Sequence, residues 1–208
     1  MKFANHYLLA SILLVFFLGP IGFDYGLLSI MNLEILFLTI LIFSIFLHEH
    51  NSKLFKLTVI SLLIILINIL FFDINQSVFQ YFLKLFIISI AIIELFKEII
   101  RTKKIDFHII SSAISIYILI GIFWYLLFMF LLMIDPDSFD IRNFNPEMVS
   151  IDMIYFSFTT LTTLGYGDIT PLSYTAKMWS ITEAMMGVMF LAVMISRVVS
   201  LFGSKKKN

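Results

Sequence analysis

The chain has no cysteine among its 208 residues, which excludes disulfides and thiolate-held metals. Charge is also scarce. Only 13% of the residues are Asp, Glu, Lys or Arg, and 14 basic residues balance 14 acidic ones to a formal net charge of +0. Nucleic-acid binding therefore has no basic surplus to draw on. No nucleophile and base fall at catalytic spacing, no glycine loop is built to cradle phosphate, and no metal-ligand framework is complete. The chain reads as a non-enzyme without a cofactor. With 4 Pro and 8 Gly, few residues interrupt long helices. What fills the sequence is apolar: 61% of residues are hydrophobic and 24 are Phe, for a mean hydropathy of +1.02. A soluble domain cannot hide that much apolar surface, so the charge-poor runs read as membrane spans.

Six apolar segments follow one another: Tyr7–Phe23, Leu27–Leu47, Leu54–Phe72, Phe79–Phe96, His108–Ile134 and Ala176–Phe202. Each approaches or exceeds the about 20 residues that cross a hydrocarbon core as a helix. The apolar stretch near Asp152–Thr163 is too short; at about 1.5 Å per residue it reaches only part way. It reads as a re-entrant helix, tolerated at membrane depth when packed inside protein. The expected fold is an all-α membrane protein, with six transmembrane helices and a re-entrant helix before the last. Residues 1–105 hold four helices with short connections, and residues 106–208 hold helix, short helix, loop and helix. Lys2 and the run Leu8–Leu18 have the outline of a signal peptide. Only Gly19-Pro20-Ile21-Gly22 follows where a small-x-small cleavage site is needed, so the first helix is expected to be retained.

Charge sets the orientation. Lys53 and Lys56 lie between the second and third segments, Lys97, Arg101, Lys103 and Lys104 between the fourth and fifth, and Arg197 and Lys205-Lys206-Lys207 near the C-terminus. The other connections hold Asp24, Asp73, and then Asp135, Asp137, Asp140 and Glu147 against Arg142. The positive-inside rule puts both termini in the cytoplasm and the loop after the short helix near the outer face. The expected location is the cell membrane.

That loop reads Thr162-Thr163-Leu164-Gly165-Tyr166-Gly167-Asp168. An ordinary strand alternates its carbonyls from side to side. Turning successive carbonyls the same way needs alternating right- and left-handed backbone, and left-handed positions favour glycine. Gly165 and Gly167 stand two residues apart, as that alternation requires. The stretch resembles the selectivity filter of tetrameric potassium channels, usually Thr-Val-Gly-Tyr-Gly-Asp, with Leu164 in place of the valine. The resemblance is specific over residues 106–208; in the first half it rests on helix count alone. It implies a potassium-selective channel in the lipid bilayer, with four copies of the chain closing one pore. Backbone carbonyls of Thr163, Leu164, Gly165, Tyr166 and Gly167 would replace the hydration shell of K+. The Thr163 hydroxyl would add an oxygen below them, and Asp168 would stand at the outer mouth. The rival readings are a non-conducting or weakly selective membrane subunit, and a transporter. A transporter would show paired broken helices, and only one interrupted segment is found.

Around the motif, Pro146 and Ser150 offer helix-start signals. The C-terminal end of the short helix, through Thr159, Thr160 and Thr162, would present the negative end of its dipole to a cation. The resemblance implies that the Tyr166 ring packs outward on this helix. Many family members have two tryptophans where this chain has Tyr155 and Phe156. Thr160 is then placed to replace the missing donor to Tyr166, and Thr159 stands where some members carry a carboxylate. Gly187 matches the family's hinge glycine, and reads equally as a small residue for close helix packing. Ala184, Val188, Leu191, Ile195 and Val199 recur at helical spacing and match cavity-lining positions, where an apolar ring gates by dewetting; ordinary helix contact is the alternative. Glu183 is an acid within the last span, a functional position by default. It is expected to hydrogen-bond the short helix through Thr159 or Ser157, the alternatives being exposure to a water-filled cavity or a protonated, merely tolerated acid.

The first four segments have the layout of a voltage sensor without its charges. The fourth offers Lys84, then Glu94, and nothing basic before Lys97, so voltage gating is not expected. Lys84 and Lys97 read as snorkelling to opposite interfaces. Glu34 and Asn68 read as helix-linking or interfacial, His48-Glu49-His50 as a solvated turn rather than a metal site, and His6 and His108 as interfacial. Only Gly203–Asn208 follow the last segment, so no fused ligand-binding domain is expected to gate the pore.

Overall fold

The structure is a computed structural model and describes residues 2–25, 38–42, 53–71, 78–102, 107–142, 145–146 and 148–204. Its helices are α1 (Lys2–Asp24), α2 (Lys53–Phe71), α3 (Val78–Arg101), α4 (Phe107–Ile134), α5 (Val149–Leu161) and α6 (Tyr174–Ser204). A helical stretch at 38–42 falls within the second apolar segment. Glu34, His48, Glu49, His50, Asp73, Lys103, Lys104, Glu147 and Lys205 to Lys207 lie outside the described residues, as does the side chain of Asn68. Among the described residues three helices are long and apolar enough to cross a membrane: Val78–Arg101, Phe107–Ile134 and Tyr174–Arg197. Shorter apolar helices cover His6–Leu18, Phe55–Ile67 and Val149–Leu161. The all-α expectation has one exception. Strands β1 (Phe139–Ile141) and β2 (Ile169–Pro171) pair antiparallel, with Phe139 opposite Pro171 and Ile141 opposite Ile169.

The chain forms two compact units: Met1–Thr102 with Asp106–Ile118, and Lys103–Ile105 with Leu119–Asn208. The sequence puts a boundary at the basic connection, 105/106; by packing, the division falls inside α4.

In the first unit, α3 buries Tyr81, Lys84, Ile88, Ala91, Leu95 and Ile99 on one face, the i, i+3, i+4 spacing of an amphipathic helix. Phe79, Phe82, Phe86 and Ile93 are exposed on the same helix. Its solvent side is thus as apolar as its core side, which suits lipid and not water. Lys84 corrects the snorkelling expectation. It is 6% exposed, and its Nζ lies 5.5 Å from the centroid of the Tyr81 ring, an attractive cation–π geometry. Lys97 does reach outward and pairs with Glu94 at 2.8 Å. Hydroxyls of Thr58, Ser61, Ser89 and Ser112 return to carbonyls of their own helices, which satisfies polar groups in apolar surroundings. His6 is bonded to Ser111 at 3.0 Å and His108 to Glu98 at 2.5 Å.

In the second unit, three rings meet edge to face. Phe128 of α4, Phe139 of β1 and Phe156 of α5 have centroids 5.2–5.6 Å apart at 67–76°. All three are buried. Edge-to-face contact suits the ring quadrupoles, and the trio fixes α5 to α4 and to the small sheet. After β2, Leu172 N–H donates to the Ser138 carbonyl at 2.8 Å. Ser173 then caps α6, its Oγ accepting from Ala176 N–H at 3.1 Å.

Phe156→Ala should lower the unfolding free energy by about 3 kcal/mol, the usual cost of emptying a buried phenylalanine site. Phe86→Ala, on an exposed face of α3, should cost under about 1 kcal/mol. Equilibrium unfolding in mixed micelles checks both.

Candidate functional site

The short helix α5 has 13 residues, with Met148 as its N-cap and no side-chain cap bond. Ser150 thus lies inside the helix and does not cap it. Asp152 in the first turn meets the positive end of the dipole. The helix ends where its last carbonyls are claimed by the chain that follows. Thr162 N–H donates to Phe158 O, Thr163 N–H to Thr160 O at 2.9 Å, and Leu164 N–H and Gly165 N–H both to Thr159 O at 2.8 and 3.1 Å. The amides of the first half of the loop, through Gly165, are therefore consumed by the helix end. Its carbonyls are not: among the described residues, those of Thr163, Leu164, Gly165, Tyr166 and Gly167 accept no hydrogen bond. The helix end is correspondingly less bare than a free C-terminus, because loop amides already meet its dipole.

The backbone alternates in hand. Thr163, Gly165 and Gly167 have φ of 59, 52 and 78°, and Thr163 is the non-glycine residue at positive φ among those described. A left-handed β-branched residue costs about 1–2 kcal/mol, so strain sits at the base of the loop. Side chains there are exposed in the single chain, Leu164 at 55% and Tyr166 at 68%.

At the outer end, Tyr155 stacks on Tyr166 with centroids 6.3 Å apart and planes 2° from parallel. Its hydroxyl donates to Asp168 Oδ2 at 2.7 Å. That bond pushes the Tyr155 hydroxyl up to about 12, so it stays protonated and keeps donating. Burial, and then Asp168, raise Asp152 above the usual carboxylate range. Asp168 Oδ1 accepts from Ile169 N–H at 3.2 Å. Thr160, read from the sequence as a donor for Tyr166, makes no side-chain hydrogen bond among the described residues. Thr159 and Thr162 hydroxyls return to Phe156 O and Phe158 O of their own helix.

Behind α5, Glu183 is fully buried and bonded to Ser157 Oγ at 2.5 Å; Thr159 does not reach it. Ser157 also contacts the Gly121 carbonyl of α4 at 2.8 Å. One turn further along α6, a Cβ on Gly187 would stand 2.1 Å from the Leu161 carbonyl. Here Gly187 lets α6 approach the end of α5 closely. Ala176, Glu183, Gly187 and Phe190 form the buried seam of α6. Val188, Leu191, Ile195 and Val199 lie off that seam and are exposed at 48–64%. Met185, Met189 and Val193 are exposed too, so exposure alone does not single out the stripe. Ala184 is half-buried.

The bonds from Tyr155 to Asp168 and from Ser157 to Gly121 join residues 13 and 36 positions apart. No periodicity connects such pairs, and only the residue types, a phenol and an acid flanking the motif, carried any signal.

Gly187→Ala must push α6 off a backbone carbonyl, an overpacking cost of about 1–3 kcal/mol. At Gly121 a Cβ would instead meet the far end of the Phe158 ring at 2.5 Å, which can turn aside. Thermal unfolding should therefore show Gly187→Ala the more destabilised of the two; a hinge without close packing would leave its stability unchanged.

A family model described as "Ion channel" matches residues 112–204. Curated relatives include two-pore potassium channel 2 of Arabidopsis thaliana, 30% identical over 95 residues, which are 44% of this chain and 19% of the relative. Two pore potassium channel a of Oryza sativa subsp. japonica is 28% identical over 53% of this chain and 29% of its own length. The voltage-gated potassium channel Kch of Escherichia coli (strain K12) is 36% identical over 30% of this chain and 14% of its own. The chain thus spans less than a third of each of these relatives. No solved structure matches it significantly. The region that matches encloses α5, the alternating loop and α6, and over it the chain is similar to ion channels, potassium channels among them.

Proposed function

We propose that the protein is a potassium-selective channel, conducting K+ passively through a filter made by Thr163, Leu164, Gly165, Tyr166 and Gly167. The observation that carries the reading is the loop backbone. The amides of Thr163, Leu164 and Gly165 are bound to the end of α5, the hand alternates at 163, 165 and 167, and the carbonyls of 163–167 accept no hydrogen bond among the described residues. Groups so arranged suit an ion that exchanges water for carbonyl oxygens. One filter segment occurs in this sequence, so a closed ring takes four copies in the membrane. The exposed apolar flanks of α6 give such copies and lipid a surface to cover. In this arrangement Val188, Leu191, Ile195 and Val199 line the inner cavity, while Thr159, Thr160, Thr162, Asp168 and Glu183 support the filter. In this reading the chain crosses the membrane six times with α5 re-entrant, the basic connections support cytoplasmic termini, and flow is not voltage-gated. Lys84, cradled by Tyr81, is the one basic residue in the body of α3, too few for steep voltage dependence.

Purified protein in liposomes should give barium-sensitive potassium flux, with sodium flux far smaller. Gly165→Ala, which forces a Cβ onto a left-handed position, should remove it. Comparable sodium flux would contradict the selectivity, and absence of flux from a verified tetramer would favour a non-conducting subunit.

A further inference from the structure

Ser157 stands where three helices of the second unit meet. Its hydroxyl contacts the Gly121 carbonyl of α4 at 2.8 Å and Glu183 Oε1 of α6 at 2.5 Å. Ser157 and Glu183 are both 0% exposed, so water cannot settle the account. A serine hydroxyl carries one hydrogen, and a backbone carbonyl and a carboxylate each only accept. With an ionised Glu183, one of these two contacts would lack a proton. With a carboxylic acid both are made: Glu183 O–H donates to Ser157 Oγ, and Ser157 O–H donates to the Gly121 carbonyl.

No cation among the described residues offers a different solution. The titratable side chains of these helices within the unit are Tyr125 on α4, Asp152 and Tyr155 on α5, and Tyr174, Lys177 and Arg197 on α6. None makes a hydrogen bond or ion pair with Glu183. Glu183 Oε2 is buried with no partner. A neutral carbonyl oxygen tolerates that isolation far better than an oxygen carrying half a charge.

We propose that Glu183 acts as a neutral hydrogen-bond donor, the first link of a chain from Glu183 through Ser157 to Gly121 that locks α6, α5 and α4 together. It is a positioning residue, acting on the filter through Ser157 and the end of α5. This role rests on the reading of residues 163–167 as the conducting filter, since the end of α5 holds the amides of Thr163, Leu164 and Gly165. The bond also orders the seam: the donor bond at Glu183 and the close approach at Gly187 are one turn apart on α6.

Infrared spectra of the full-length protein in lipid at neutral pH test the donor directly. The protein should show a protonated-carboxyl C=O band that disappears in Glu183→Gln and shifts in Ser157→Ala. Flux gives a second readout. Gln keeps an N–H for Ser157 and no charge, so Glu183→Gln should retain flux within about twofold, whereas Glu183→Leu should lose about tenfold or more. A missing band, or Glu183→Gln as impaired as Glu183→Leu, would overturn the proposal. If the native protein carries no potassium at all, the filter reading fails, and the band still decides the state of Glu183.

Discussion

Five successive backbone carbonyls, those of Thr163 through Gly167, accept no hydrogen bond among the described residues, and a carbonyl that loses water without gaining a donor costs on the order of 1–3 kcal/mol. Such a run survives only if the rest of the backbone leaves it no alternative. The amides of Thr163, Leu164 and Gly165 are engaged at the end of α5, so the loop cannot fold into a turn or strand using them. Left-handed backbone at alternate positions then aims the carbonyls together, with glycine where it is free and a strained threonine where it is not. A bound cation is the natural completion of such a set of oxygens.

Everything near α5 serves to keep its end in place. The ring trio of Phe128, Phe139 and Phe156 fixes one flank. On another side, Tyr155 links α5 to the far end of the loop through Asp168 and a parallel contact with Tyr166. At the back, α6 approaches through a narrow seam of small and polar residues, with Gly187 against the Leu161 carbonyl and Glu183 on Ser157. Shape and hydrogen bonding dominate there, as expected where lipid removes the hydrophobic drive between helices.

The sequence disclosed the apolar helices readily, because charge-poor runs of that length have one physical solution in a membrane. It also disclosed the loop, because glycines at 165 and 167 answer a backbone requirement that few sequences meet by chance. Less was visible wherever partners come from distant positions. The three-residue strands β1 and β2 are too short to show a period. Lys84 looked like an interfacial residue because its span position is readable and its burial beside Tyr81 is not. Gly187 reads equally as hinge or contact in the sequence, where its close approach to Leu161 has no signal. Ser157 and Thr159 were equal partners for Glu183 on composition; two residues apart, they face different sides of α5, and only Ser157 faces α6.

The central claim is that the carbonyls of residues 163–167 take potassium in place of water. Infrared spectroscopy of protein carrying 13C=O at glycine, exchanged between potassium and sodium, addresses it most directly, with Gly165→Ala used to assign the band. The account predicts a carbonyl shift at Gly165 on exchange, half-complete at a lower concentration of potassium than of sodium. Identical bands in the two ions would contradict it.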